Sequence, residues 1–200
     1  MTARQARTLN ALALLGCCAV LIEAFWYQFA LGELPCPLCL LQRAAFAAAG
    51  VGFALNLRFG PRPSHYGIAI LSAVAGAFVA GRQVALHVIP GAGGFGSTLF
   101  GLHFYTLALI AFVALIVGVS VLLLGDRVLR AEPRADGGAG RFGAACLLLF
   151  LGVVLANAVS TAAECGTGLC PDDPTRYEAL DSWLGRRPAL TARDGGRLAP

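Results

Sequence analysis

Cys36 and Cys39 stand three residues apart in the stretch Glu33-Leu-Pro-Cys-Pro-Leu-Cys-Leu-Leu-Gln-Arg43. Cysteines at i and i+3 near a helix start can close a small disulfide ring. The helix N-terminus offers unpaired N–H groups and partial positive charge, which stabilise a thiolate and speed exchange. Pro37 has no N–H and suits the first helical turn. Arg43 lies four residues past Cys39, on the same helical face. A guanidinium at that depth in an apolar segment needs an anionic or dipolar partner, such as the Cys39 thiolate or a polar ligand beside it. Two other readings stand beside the redox one. The cysteines could be inert small apolar residues, or half of a zinc or copper clip completed by Cys165 and Cys170, whose four-residue spacing fits a clip less well.

The elements that position these sulfurs must lie in lipid. The 200 residues are 58% hydrophobic and 13% charged, against about a quarter charged in soluble domains. A spanning helix takes roughly 20 apolar residues. Five stretches qualify, at about 9–31, 38–57, 66–89, 102–124 and 140–163. The first is too long for a removable signal and lacks a cleavage site, so it reads as a retained helix. All 15 basic residues are arginine. Arg4 and Arg7 precede the first span, Arg58 and Arg62 separate the second and third, and Arg127, Arg130, Arg134 and Arg141 separate the fourth and fifth. The connections 32–37 and 90–101 hold none. This alternation predicts a cytoplasmic N-terminus, an outward tail and both cysteine pairs on the outward side. In such a chain the net charge of +4 reports orientation, and no nucleic-acid partner is expected. The fold expected is an all-α polytopic membrane protein, with a helical domain over 1–163 and an outward tail over 164–200.

The tail carries the second pair in Glu164-Cys-Gly-Thr-Gly-Leu-Cys-Pro-Asp-Asp-Pro, a loop punctuated by Gly and Pro. Asp173-Pro174 reads as an N-cap and first helical residue. Tyr177, Leu180, Trp183 and Leu184 follow at helical spacing, predicting a short amphipathic helix over 174–184. Its place is the outer membrane interface, the end of the bundle, or a docking surface for a thioredoxin-like partner. The stretch from 189 to 200 is polar and Gly-rich, with the composition of a disordered segment.

These residues resemble the bacterial disulfide bond formation protein B (DsbB) family. The resemblance rests on Glu23, Phe25-Trp26-Tyr27-Gln28, Leu34-Pro-Cys-Pro-Leu-Cys39, Gln42-Arg43, Ala80-Gly81-Arg82 and Gly101-Leu-His-Phe-Tyr105. It covers roughly the first 125 residues. It implies a four-helix bundle in the bacterial inner membrane that re-oxidises a DsbA-like periplasmic thioredoxin-fold protein and passes the electrons to ubiquinone or a related quinone. By that resemblance Cys39 faces the quinone, Cys36 exchanges with the second pair, and Arg43 sits beside the quinone head group. The family's usual second pair lies in a long loop between the third and fourth spans. Here that loop is short and has no cysteine; a fifth span is added, and Cys165 and Cys170 follow it. Either the tail takes over the loop's exchange role or this pair is a structural bridge.

Other polar residues carry paired readings. Glu23, inside the first span, could pair with an arginine, move a proton or hydrogen-bond within the bundle. Arg82 either snorkels to the interface or contacts the quinone. His87 either donates to a quinone carbonyl and moves a proton, or is a buried, satisfied histidine. Trp26, Tyr27, Phe104 and Tyr105 fit an aromatic belt. Cys17, Cys18 and Cys146 lie in apolar runs and read as inert.

Overall fold

A computed structural model of the chain describes residues 2–88, 94, 96–124, 139–166, 168–172 and 174–183. Among the described residues five helices are long and apolar enough to cross a membrane: α1 (Ala3–Ala30), α2 (Pro37–Phe59), α3 (Pro63–His87), α4 (Phe104–Leu124) and α5 (Gly140–Cys165). The chain is an all-α polytopic membrane protein. Between α3 and α4 lie two short strands, β1 (Thr98–Leu99) and β2 (Leu102–His103), and the tail holds α6 (Glu178–Trp183). The arginines at 127, 130 and 134 and the stretch from 184 onward lie outside the described residues.

Capping explains where the helices depart from the apolar runs. Helix α1 begins before its apolar run because Thr2 and Gln5 form a reciprocal capping box, with Gln5 N–H donating to Thr2 Oγ1 at 3.2 Å and Thr2 N–H to Gln5 Oε1 at 2.9 Å. Pro37 and Pro63 open α2 and α3 from N-cap residues Cys36 and Arg62. Helix α4 starts later than the hydropathy suggests because 98–103 form an antiparallel hairpin, pairing Thr98 with His103 and Leu99 with Leu102. Its two turn residues, Phe100 and Gly101, both have positive φ, 53° and 78°, as a tight primed turn requires. Helix α6 is shorter than the spacing of Tyr177, Leu180 and Trp183 implies, and it packs on α5, with Ala179 beside Gly166.

The bundle packs α2 on α3, α3 on α4, α1 on α2, and α5 against α1 and α2. In lipid no hydrophobic drive brings helices together, so close approach rests on small residues. A Cβ on Gly52 of α2 would lie 2.4 Å from the His65 carbonyl oxygen of α3, and one on Gly76 of α3 2.3 Å from the Phe112 ring of α4. Leucine at Gly52 is expected to destabilise the bundle by about 2 kcal/mol or more, because backbone cannot yield as a side chain can; detergent-titrated unfolding of the variant checks this.

Polar residues mark the two ends of the bundle. At one end Asn56 of α2 donates to Asn10 of α1 at 2.9 Å, and Asn10 donates to Tyr66 of α3 at 2.8 Å. Arg58 and Arg62 lie at this end, as does Arg7, near Gly140 where α5 begins. At the other end Tyr27 of α1 meets Phe104 of α4 edge-on at 4.3 Å, and Gln28 of α1 meets Ser160 of α5. Both cysteine pairs stand at this second end, at the start of α2 and the end of α5.

Candidate functional site

Cys36 and Cys39 form a disulfide with a Cα–Cα separation of 5.0 Å. The helix start treats the two sulfurs differently. Cys36 is the N-cap of α2, and its Sγ accepts from the Cys39 backbone N–H at 3.2 Å. It also accepts from Gln83 Nε2 of α3 at 3.3 Å, and Cys36 is buried. Cys39 is partly exposed, with Gln83 Nε2 at 3.6 Å. Gln42 holds Gln83 in turn, Nε2 donating to Gln83 Oε1 at 2.7 Å. Sequence reasoning passed over Gln83 in favour of its charged neighbour Arg82. The signal available was spacing: Gln83 lies four residues before His87, on one face of α3.

Cys39 opens into a cavity of about 450 Å³ between α1, α2 and α4. Its floor is α2, with Cys39, Gln42 and Arg43 in line and Phe46 at the inner end, where that ring stacks on Phe112 at 3.9 Å. Its walls are Glu23, Ala24 and Tyr27 of α1 and Tyr105, Ala108 and Ala111 of α4. Glu33 and Leu99 line the hairpin side. The Glu33 carboxylate accepts from the Ser97 backbone N–H at 3.1 Å and from its hydroxyl, tying the hairpin to the Cys-Pro-Leu-Cys loop.

Arg43 is held from behind. It donates to Gln28 Oε1 at 2.6 Å and to the Ala24 carbonyl at 3.0 Å, and its guanidinium lies 5.6 Å from the Phe25 ring centre. Gln28 Nε2 donates to Ser160 Oγ of α5 at 2.8 Å and to the Tyr177 hydroxyl of the tail at 3.0 Å. One hydrogen-bonded cluster thus joins the cavity, α5 and the tail. Cys165 and Cys170 form the second disulfide, with Cα atoms 4.5 Å apart. Cys165 is buried and Cys170 partly exposed.

The remaining candidates divide. Glu23 lines the cavity and is exposed at its edge. His87 does not line it; its Nδ1 lies 2.8 Å from the Gln83 carbonyl and its ring stacks at 5.1 Å on Tyr105, which does. Arg82 is exposed on α3, away from the cavity lining. Cys17, Cys18 and Cys146 are buried free thiols.

The first disulfide, Arg43 and the α1 and α2 sides of the cavity come from one part of the chain, and that part has known relatives. The family model described as "Disulfide bond formation protein DsbB" matches residues 6–93. Residues 6–93 are DsbB-like. The curated proteins agree: "Disulfide bond formation protein B" of Xanthomonas axonopodis pv. citri is 39% identical over 84 residues, 40% of this chain and 49% of its own length. The proteins of the same name from Marinobacter nauticus and Nitrosomonas eutropha are 41% and 37% identical over 88 residues, 42% of this chain in each case, and 52% and 54% of their own lengths. The chain spans about half the length of these relatives. No solved structure matches it. The DsbB-like segment holds Glu23, Cys36, Cys39, Arg43, Arg82 and His87; Cys165 and Cys170 lie beyond it.

Proposed function

We propose that this protein is an inner-membrane thiol–disulfide oxidoreductase that re-oxidises a DsbA-like thioredoxin-fold protein outside the membrane and passes the electrons to a quinone. The observation that carries the reading is the shared cavity: the Cys39 side of the disulfide and the Arg43 guanidinium line one largely apolar slot within the lipid-embedded bundle. Its size suits a small ring head group. Two of its polar residues, Arg43 and Gln42, stand on the same helix as the sulfur.

A bound quinone would supply the chemistry of a two-electron, two-proton acceptor. The residues do the rest. A thiolate of the second pair attacks Cys36 Sγ; the Cys36–Cys39 bond breaks and its electron pair stays on Cys39 as a thiolate. That thiolate forms at the head of α2, with Arg43 one turn along the same face, so the helix terminus and the guanidinium both favour it. Arg43, fixed by Gln28 and Ala24, also favours negative charge developing on whatever accepts the electrons. Cys36 is buried, so the loop 32–36 must open for the attack. The protein then lies in the bacterial cytoplasmic membrane with its N-terminus in the cytoplasm and its tail in the periplasm. The arginine-bearing end holding Arg7, Arg58 and Arg62 supports that orientation.

The test is direct. The purified protein in lipid is given a reduced thioredoxin-fold dithiol and a ubiquinone analogue, and quinone loss is followed by absorbance. Quinone-dependent dithiol oxidation is expected, and its absence rejects the reading. Replacing Arg43 by Gln should lower turnover about 100-fold, the scale for losing one preorganised charge-stabilising donor, while exchange between the dithiol and Cys36–Cys39 persists.

A further inference from the structure

The added helix α5 carries a buried polar stripe. Asn157, Ser160 and Glu164 recur at i, i+3 and i+7 and are 8%, 8% and 0% exposed, so one face of a membrane helix turns its polar groups inward. Ser160 meets Gln28. Both carboxyl oxygens of Glu164 are buried and have no hydrogen-bond partner among the described residues. A buried carboxylate without donors is sustained only by charge nearby. Ser160, one turn before Glu164 on the same face of α5, accepts from Gln28, and Gln28 in turn accepts from Arg43, so the buried carboxyl adjoins the cluster that holds the guanidinium. Among the described residues of the adjoining tail, Arg176 and Glu178 pair with each other at 3.4 Å and are more than a third exposed, and Asp172 is exposed.

Arg43 thus stands one turn along α2 from Cys39 and in the cluster that the buried Glu164 adjoins. Its hydrogen bonds go to neutral acceptors, Gln28 Oε1 and the Ala24 carbonyl; these orient the guanidinium without compensating its charge. Cys39 lies on the cavity side and Glu164 on the α5 side. We propose that Glu164 is the counter-charge of Arg43, a positioning residue on the added helix that sets how much of the guanidinium's field reaches the Cys39 sulfur. This deepens the reading of the cavity as the electron-transfer site and rests on it. It also gives α5 a role in the chemistry of the first disulfide besides carrying the second. An ionised Glu164 sets its own opposing field against the arginine's at the sulfur, so removing its charge leaves a net field that favours a Cys39 thiolate more.

The test reads Cys39 alone and needs no quinone. In a Cys36→Ser background, with the protein in lipid at neutral pH, iodoacetamide labelling of Cys39 is followed by mass spectrometry. Glu164→Gln, which keeps shape and removes charge, should speed labelling about three- to tenfold through a larger thiolate fraction. Glu164→Asp should stay within about twofold of the parent, on the same scale. With Arg43→Gln also present, the effect of Glu164→Gln should vanish, because a buried carboxyl that has lost its counter-charge is already neutral. An unchanged rate in Glu164→Gln overturns the proposal, as does an acceleration that persists without Arg43. So does an equal acceleration at Cys17, Cys18 and Cys146, which would mean that the bundle had loosened. A charge effect on Cys39 in a protein that cannot reduce quinone would reject the functional reading and leave this one standing.

Discussion

Serine in place of Cys39 is expected to abolish quinone-coupled dithiol oxidation, a fall of at least about 1000-fold, the scale for removing a residue that acts as part of a covalent unit. The reason is positional as well as chemical. Cys39 is the sulfur of its pair that lines the cavity, whereas Cys36 is buried and accepts from the Cys39 N–H and Gln83. Serine keeps the helix start, Pro37 and the cavity shape, and Arg43 is still held by Gln28 and Ala24. Quinone affinity should therefore stay within about threefold of the parent, since uniform binding survives when only the reacting group is lost. Cys36→Ser should stop turnover equally, because either substitution removes the disulfide, yet it leaves the Cys39 thiol in the cavity. Steady-state quinone reduction and equilibrium binding, measured on both variants, separate the roles. Turnover of Cys39→Ser above about a tenth of the parent rate, where the loss of a covalent participant leaves far less, would remove this sulfur from the electron path.

Much of this arrangement was legible in the sequence, for identifiable reasons. Apolar runs of spanning length give the five helices directly, because lipid forces the backbone to satisfy itself within each helix. The Cys-Pro-Leu-Cys sequence and the spacing to Arg43 follow from helical periodicity, which the structure keeps. Partners across helices were not legible. Gln83, Gln28, Ser160 and Tyr177 are polar residues in or beside apolar runs, and nothing in linear spacing says that Gln83 meets Cys36 while Arg82, one residue earlier, turns away. The hairpin at 98–103 was hidden because its turn is Phe100-Gly101, with a phenylalanine where the backbone needs positive φ, a position usually marked by Asn, Asp or Gly. Glu164 was read as the edge of a loop because it adjoins Cys165, although it is the penultimate residue of α5 and fully buried.

The second disulfide provides the sharper test. Replacing Cys165 and Cys170 together by serine should cut oxidation of a thioredoxin-fold dithiol by about 100-fold or more. Oxidation of a small dithiol such as dithiothreitol should stay within about threefold, since a small reagent can reach Cys36–Cys39 without a protein relay. The asymmetry follows from access. Cys36 is buried and its Sγ accepts from Gln83, where a folded partner cannot bring its thiolate. Cys170 is partly exposed and the preceding Leu169 is 99% exposed, so a partner can attack Cys170. The electron pair of the broken bond then remains on Cys165, the sulfur nearer the bundle at the end of α5. The tail is tied to the cavity through the Tyr177 hydroxyl, Gln28 and Arg43, which places the carrier of the second pair on the same cluster that holds the first pair's arginine. A structural bridge predicts the opposite pattern: both dithiols oxidised at parental rates, and a lower unfolding midpoint in the double serine variant. Loss confined to the protein substrate would mean that the disulfide at the end of α5 relays electrons from a folded partner to Cys36–Cys39.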